Sequence, residues 1–122
     1  DLVYLLEELI HAYQHIGKTD EFLNARKLNI EIEAKLGWYI YCSFQGDSRY
    51  RWYADVLGGE NGLELFNDLM HYYYQEDFTS AEFHQVYGNI VALIAPSYNG
   101  YPELRSARTF DDIKKLYENC LL

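Results

Sequence analysis

Residues 21–44 read EFLNARKLNIEIEAKLGWYIYCSF, and the periodicity of this stretch decides the fold. At about 100° per residue, Leu28, Ile32, Leu36 and Tyr39 fall on one side of a helix, and Ile30, Gly37, Tyr41 and Phe44 on another. A helix that is apolar on two sides is buried between neighbours. Thr19 or Asp20 can cap it, its start lies near Glu21, and it runs to about Phe44. Glu33 does not suit this pattern. It falls among Gly37, Ile40 and Phe44, and a buried carboxylate is costly unless it is paired, protonated or bound to a metal. Glu31 escapes the problem, because Lys35 follows at i+4 and the two read as an exposed pair.

Upstream, residues 2–16 read LVYLLEELIHAYQHI. Leu2, Leu5, Leu6, Leu9, Tyr13 and Ile16 recur at helical spacing, which predicts an amphipathic helix with this stripe turned to the core. Glu7, Glu8, His11, Gln14 and His15 fall on the other side, as a solvated polar face or as ligands that share one helix surface. Gly17 ends the helix. The short connection that follows makes the two helices antiparallel neighbours, and His11 is then the natural partner for Glu33. That contact requires the second helix to begin late, near Arg26.

Downstream, residues 45–48 read as a turn, and Tyr50 to Leu57 as a short helix ended by Gly58-Gly59. Asn61 and Glu64 have capping-box spacing and open a helix to about Gln75, with Leu63, Phe66, Met70 and Tyr73 on one face. Thr79 and Glu82 repeat that spacing ahead of a helix to about Ile94. A loop runs from Pro96 to about Ala107. Thr109 caps a last helix whose buried stripe is Phe110, Ile113, Tyr117 and Cys120, with Asp111 and Asp112 at its start. Tyr72-Tyr73-Tyr74 read as core-edge residues, apolar body inward and hydroxyl outward. The predicted class is all-α, mainly helical, with about five or six helices, in a single domain spanning residues 1–122.

Composition narrows the functions. Nineteen Asp and Glu against ten Lys and Arg leave a formal charge of −9, which repels phosphate backbones and anionic lipid surfaces. Neither a nucleic acid nor a membrane is therefore an expected partner. No apolar run approaches the roughly 20 residues that span a bilayer. Cys42 and Cys120 sit in apolar patterns and read as buried free thiols.

Glu8-Leu-Ile-His11-Ala-Tyr-Gln14, followed by Asn29-Ile-Glu31-Ile-Glu33-Ala34, resembles the zincin-like metallopeptidase domains of the gluzincin type, here as in uncharacterised bacterial proteins. Those domains carry His-Glu-x-x-His on one helix and a Glu ligand on a later one. By motif, the resemblance makes His11 a zinc ligand, Glu33 (or Glu31) the distant ligand, and Glu8 the general base. Gln14, His15 and Tyr13 beside the motif are the candidate binding residues. It also implies that the chain is the helical part of a zincin-like fold lacking its upstream sheet. The chain departs from the motif at the first His, which is Glu7. A Glu7/His11/Glu33 set would be more anionic and harder than a site with two imidazoles, and would acidify bound water less. The expectation is a non-catalytic domain with no cofactor, serving as a structural module or binding a protein or peptide. Its Glu8, His11 and Glu33 would hydrogen-bond as a relic of the site. The alternative is a metal-dependent hydrolase, a peptidase, with an altered Glu/His/Glu ligand set and zinc as the possible metal.

Overall fold

A computed structural model describes residues 2–44 and 57–121, with the side chains of residues 2–4, 120 and 121 left out of account. The chain is mainly helical, with six α-helices and no strand among the described residues. The helices are α1 (Leu2–His15), α2 (Asp20–Asn24), α3 (Lys27–Phe44), α4 (Gly59–Gln75), α5 (Ala81–Ile94) and α6 (Asp111–Leu116). Short 3₁₀ turns occupy Ala95–Ser97 and Arg105–Ala107, and a π turn, Tyr117–Leu121, extends α6. The turn expected at 45–48 and the helix expected from Tyr50 lie outside the described residues. No described helix is long and apolar enough to cross a membrane.

The chain packs as two compact units. One comprises residues 1–38 and 101–122, the other residues 39–100. In the first, α3 as far as Trp38 is the buried element that its two-sided pattern predicts, and every residue from Ile32 to Trp38 along it is buried; at the far end of the helix Phe44, expected on an apolar face, is 64% exposed. The single helix expected from Glu21 is two helices. Thr19 caps α2 by accepting from the Phe22 N–H at 3.1 Å, and the chain turns at Ala25 before α3 starts at Lys27. This late start meets the condition for contact between α1 and the middle of α3. Gly37 admits the close approach: a Cβ there would lie 2.8 Å from Ile10 Cδ1 and 2.9 Å from Ile113 Cγ2. Tyr117 donates its hydroxyl to the Gly37 carbonyl. Asn29 holds the loop before α6, accepting from the Leu104 N–H and donating to its carbonyl.

The face of α1 that is buried differs from the predicted leucine stripe. Leu6, Ile10 and Gln14 are buried at successive i+4 steps, whereas Leu5 is 64% and Leu9 45% exposed. Turning the leucines inward would bury more hydrocarbon, but it would take the Gln14 amide away from Glu33 and strand the carboxylate. Leu9→Lys is therefore expected to shift stability by no more than about 0.5 kcal/mol in urea unfolding. A core leucine in that position would cost about 2–5 kcal/mol.

In the second unit, Phe66 and Leu69 of α4 are buried, as are Phe83, Tyr87, Ile90 and Ile94 of α5. Tyr72 and Phe78 meet the Phe83 ring edge-on, an arrangement favoured by the ring quadrupoles. Tyr74 is exposed. The caps differ from the predicted ones. Helix α4 begins two residues before Asn61, behind a left-handed Gly58 that gives no side-chain cap. Ser80 rather than Thr79 caps α5, because Asp77 accepts from the N–H groups of Thr79 and Ser80 and turns the chain one residue later. Cys42 is buried.

Candidate functional site

The site lies in the first unit, where α1, α3 and the start of α6 meet. Gln14 is at its centre. Its Nε2 donates to Glu33 Oε1 at 2.7 Å and to the Ile30 carbonyl at 3.0 Å. These two acceptors fix the orientation of the amide, so its Oε1 is the atom that faces His11 Nδ1 at 3.0 Å. Only a protonated Nδ1 can donate to that oxygen, which leaves Nε2 of a neutral His11 as the lone-pair nitrogen. On the other side, Glu33 Oε2 accepts from the backbone N–H groups of Asp112 and Ile113 at 3.1 and 3.4 Å. Glu33 thereby caps α6. The expected cap, Thr109, gives no such bond, and its hydroxyl faces Asp111 instead. Lys18 Nζ closes the arrangement with 3.0 Å bonds to the Gln14 carbonyl and to Asp112 Oδ2.

Glu33 is 6% exposed. Burial pushes its carboxyl up from 4.5 to about 7, and the negative charge of Asp112 adds to the rise. The Gln14 amide and the N–H groups of Ile113 and Asp112 pull it back, because each donates to the ionised form.

The residues singled out in the sequence are divided between two faces of this chain of bonds. Glu33 finds its polar partner, but in Gln14, with His11 one hydrogen bond further on. The expected direct contacts among Glu8, His11 and Glu33 are replaced by this relay, and Glu8 and His15 are exposed. Tyr13 is half-buried. The carboxylate beside His11 is Glu31: ligand atoms of Glu7, His11 and Glu31 lie within 4.8 Å of one another, a set that does not include Glu33. Glu31 is also not the exposed partner expected of it. Its Oε2 is 3.7 Å from His11 Nε2 and 3.7 Å from Lys35 Nζ, and the Lys35 side chain is only 2% exposed.

Glu7, His11 and Glu31 have the number and spacing of a ligand set, and the Gln14 bond leaves His11 Nε2 on the correct side. Glu31 is also the partner of the buried Lys35 side chain, whose positive charge shares this carboxylate. The sequence named Gln14 only as a candidate binding residue and Lys35 only as an exposed partner of Glu31; that Gln14 holds Glu33 and that Lys35 is buried came from the structure. Gln14 continues the i+4 row of Leu6 and Ile10, a signal that the more conspicuous leucine stripe obscured. Comparison of the chain with protein-family models, with curated proteins and with solved structures gives no match.

Proposed function

We propose that this chain is a non-catalytic helical module in which a zincin-like motif serves as a structural knot. The observation that carries this reading is the full use of Glu33. Its two oxygens accept from the Gln14 amide and from the backbone at the start of α6, so the motif residues join three helices. A protein or peptide is the partner class consistent with the acidic surface, and the apolar side chains of Leu5 and Leu9 on α1, and of Ile16 just after it, are exposed. A second reading, a metal-dependent hydrolase, draws on the proximity of Glu7, His11 and Glu31.

Zinc titration with elemental analysis separates the two readings. The expected result is less than stoichiometric zinc after dialysis, unchanged by His11→Ala. Lys35→Gln should raise zinc affinity, since it removes the ammonium beside Glu31. Stoichiometric zinc in the unaltered protein that is lost in His11→Ala would overturn the structural reading in favour of the hydrolase.

A further inference from the structure

A cavity of about 280 Å³ opens beside the Gln14–Glu33 bond and is lined entirely by residues of the first unit, from the 14–33 stretch and the 106–115 segment. Its charged residues are unequally satisfied. Lys18 is held by Asp112 and the Gln14 carbonyl, and Glu33 by three donors. Arg26 is different. Its Nε and Nη1 are buried and have no hydrogen-bond acceptor. Its Cζ stands 3.2 Å from the centroid of the Phe22 ring, which covers one face of the guanidinium. The ring offsets part of the charge, but it gives no acceptor to N–H groups that lie in the guanidinium plane. Guanidinium cannot relieve the cost by losing its proton, because it stays charged throughout the accessible pH range. A buried donor without an acceptor calls for a group that supplies one.

We infer that this cavity is a binding site for a small monocarboxylate, held through its carboxylate by Arg26. Oxyanions are what buried guanidinium N–H groups bind most strongly, through charge-assisted hydrogen bonds. The rest of the lining sets the charge and size of the ligand. Asp111, Asp112 and Glu33 border the same cavity and match Lys18, Arg26 and Lys115 in number, a balance that suits a single negative charge better than the two of a phosphate dianion. Leu23, Ile30 and Ala107 give the remainder of the ligand an apolar wall. The volume is slightly below the roughly 300 Å³ at which pockets for drug-sized ligands begin, so the ligand is an acid of a few carbons. Helix α2, which carries Phe22, contributes no buried residue and can shift at little cost to admit it.

The test is an NMR titration of the ¹⁵N-labelled full chain with sodium propionate, with sodium chloride and sodium phosphate as matched controls. The expected result is a saturable shift of the Arg26 Nε–H resonance and its neighbours, with a dissociation constant on the order of millimolar. Arg26→Gln should weaken binding at least about tenfold while circular dichroism shows the helices intact. Ala107→Leu narrows the cavity without touching the guanidinium, should weaken binding likewise, and carries the test if Arg26→Gln does not fold. The proposal fails if the shift does not saturate by about 100 mM, or if chloride reproduces it. It fails equally if the variants bind as well as the unaltered chain, or if phosphate binds more tightly than propionate.

Discussion

Replacing Glu33 with alanine is expected to destabilise the chain by about 3–4 kcal/mol, read as a fall in the urea midpoint. The substitution leaves the Gln14 amide and the Asp112 and Ile113 N–H groups without their acceptor, each a buried or half-buried donor, and it opens a cavity. Glutamine at this position gives the more specific result, because it separates shape from charge. The Glu33 carboxyl titrates at about 7 in the folded chain against 4.5 as its ordinary value. The folded state therefore holds this proton more tightly than the unfolded state. The resulting stabilisation is fully present below pH 4.5 and is lost as pH rises through about 7. Across that window the loss amounts to about 3 kcal/mol.

Glu33→Gln cannot ionise, so its stability should lack this decline. Below pH 4.5 it should be the less stable protein by about 1–2 kcal/mol, since its amide presents donors to the donating Gln14 amide. The gap should close, and can reverse, as the pH passes 7. Urea midpoints of both proteins from pH 4 to pH 8 check this. Parallel curves would mean that the carboxylate ionises freely and that burial does not govern it.

Gly62→Ala is the second large effect, and its sign opposes helix propensity. At an exposed helix position the change would stabilise by about 1 kcal/mol. Gly62 is buried in the first turn of α4, and a Cβ built on it would fall onto the carbonyl group of Leu57. The obstacle is backbone, so no rotamer change relieves it. Relief requires the 57–58 backbone to move, and Gly58 there holds a left-handed turn at φ +94° with Leu93 packed against it. The expected cost is about 3 kcal/mol, at the upper end for overpacking. For a domain of this size that is a drop of about 1–2 M in the urea midpoint. A midpoint equal to or above that of the unaltered chain would show that α4 does not start against Leu57.

What the sequence by itself determined was the helical class, the buried helix α3 and the problem at its centre. The two-sided apolar pattern that begins at Leu28 required a buried α3. The same pattern marked Glu33 as a buried acid in need of a partner. These are properties of one helix and its period, so they can be read from neighbouring residues. Which partner Glu33 takes was decided only by tertiary structure. Gln14, Asp112 and Ile113 lie far from it along the chain, and no local spacing relates them. The same contact settled which face of α1 is buried, since satisfying the carboxylate outweighed the burial of Leu5 and Leu9. It also capped α6 from α3 in place of Thr109, and Gly37 let the helices approach closely enough for these bonds to form. Hydrophobic period depends on averages over a helix, whereas the cost of one unsatisfied buried charge is concentrated at a point, and here the point decided the packing.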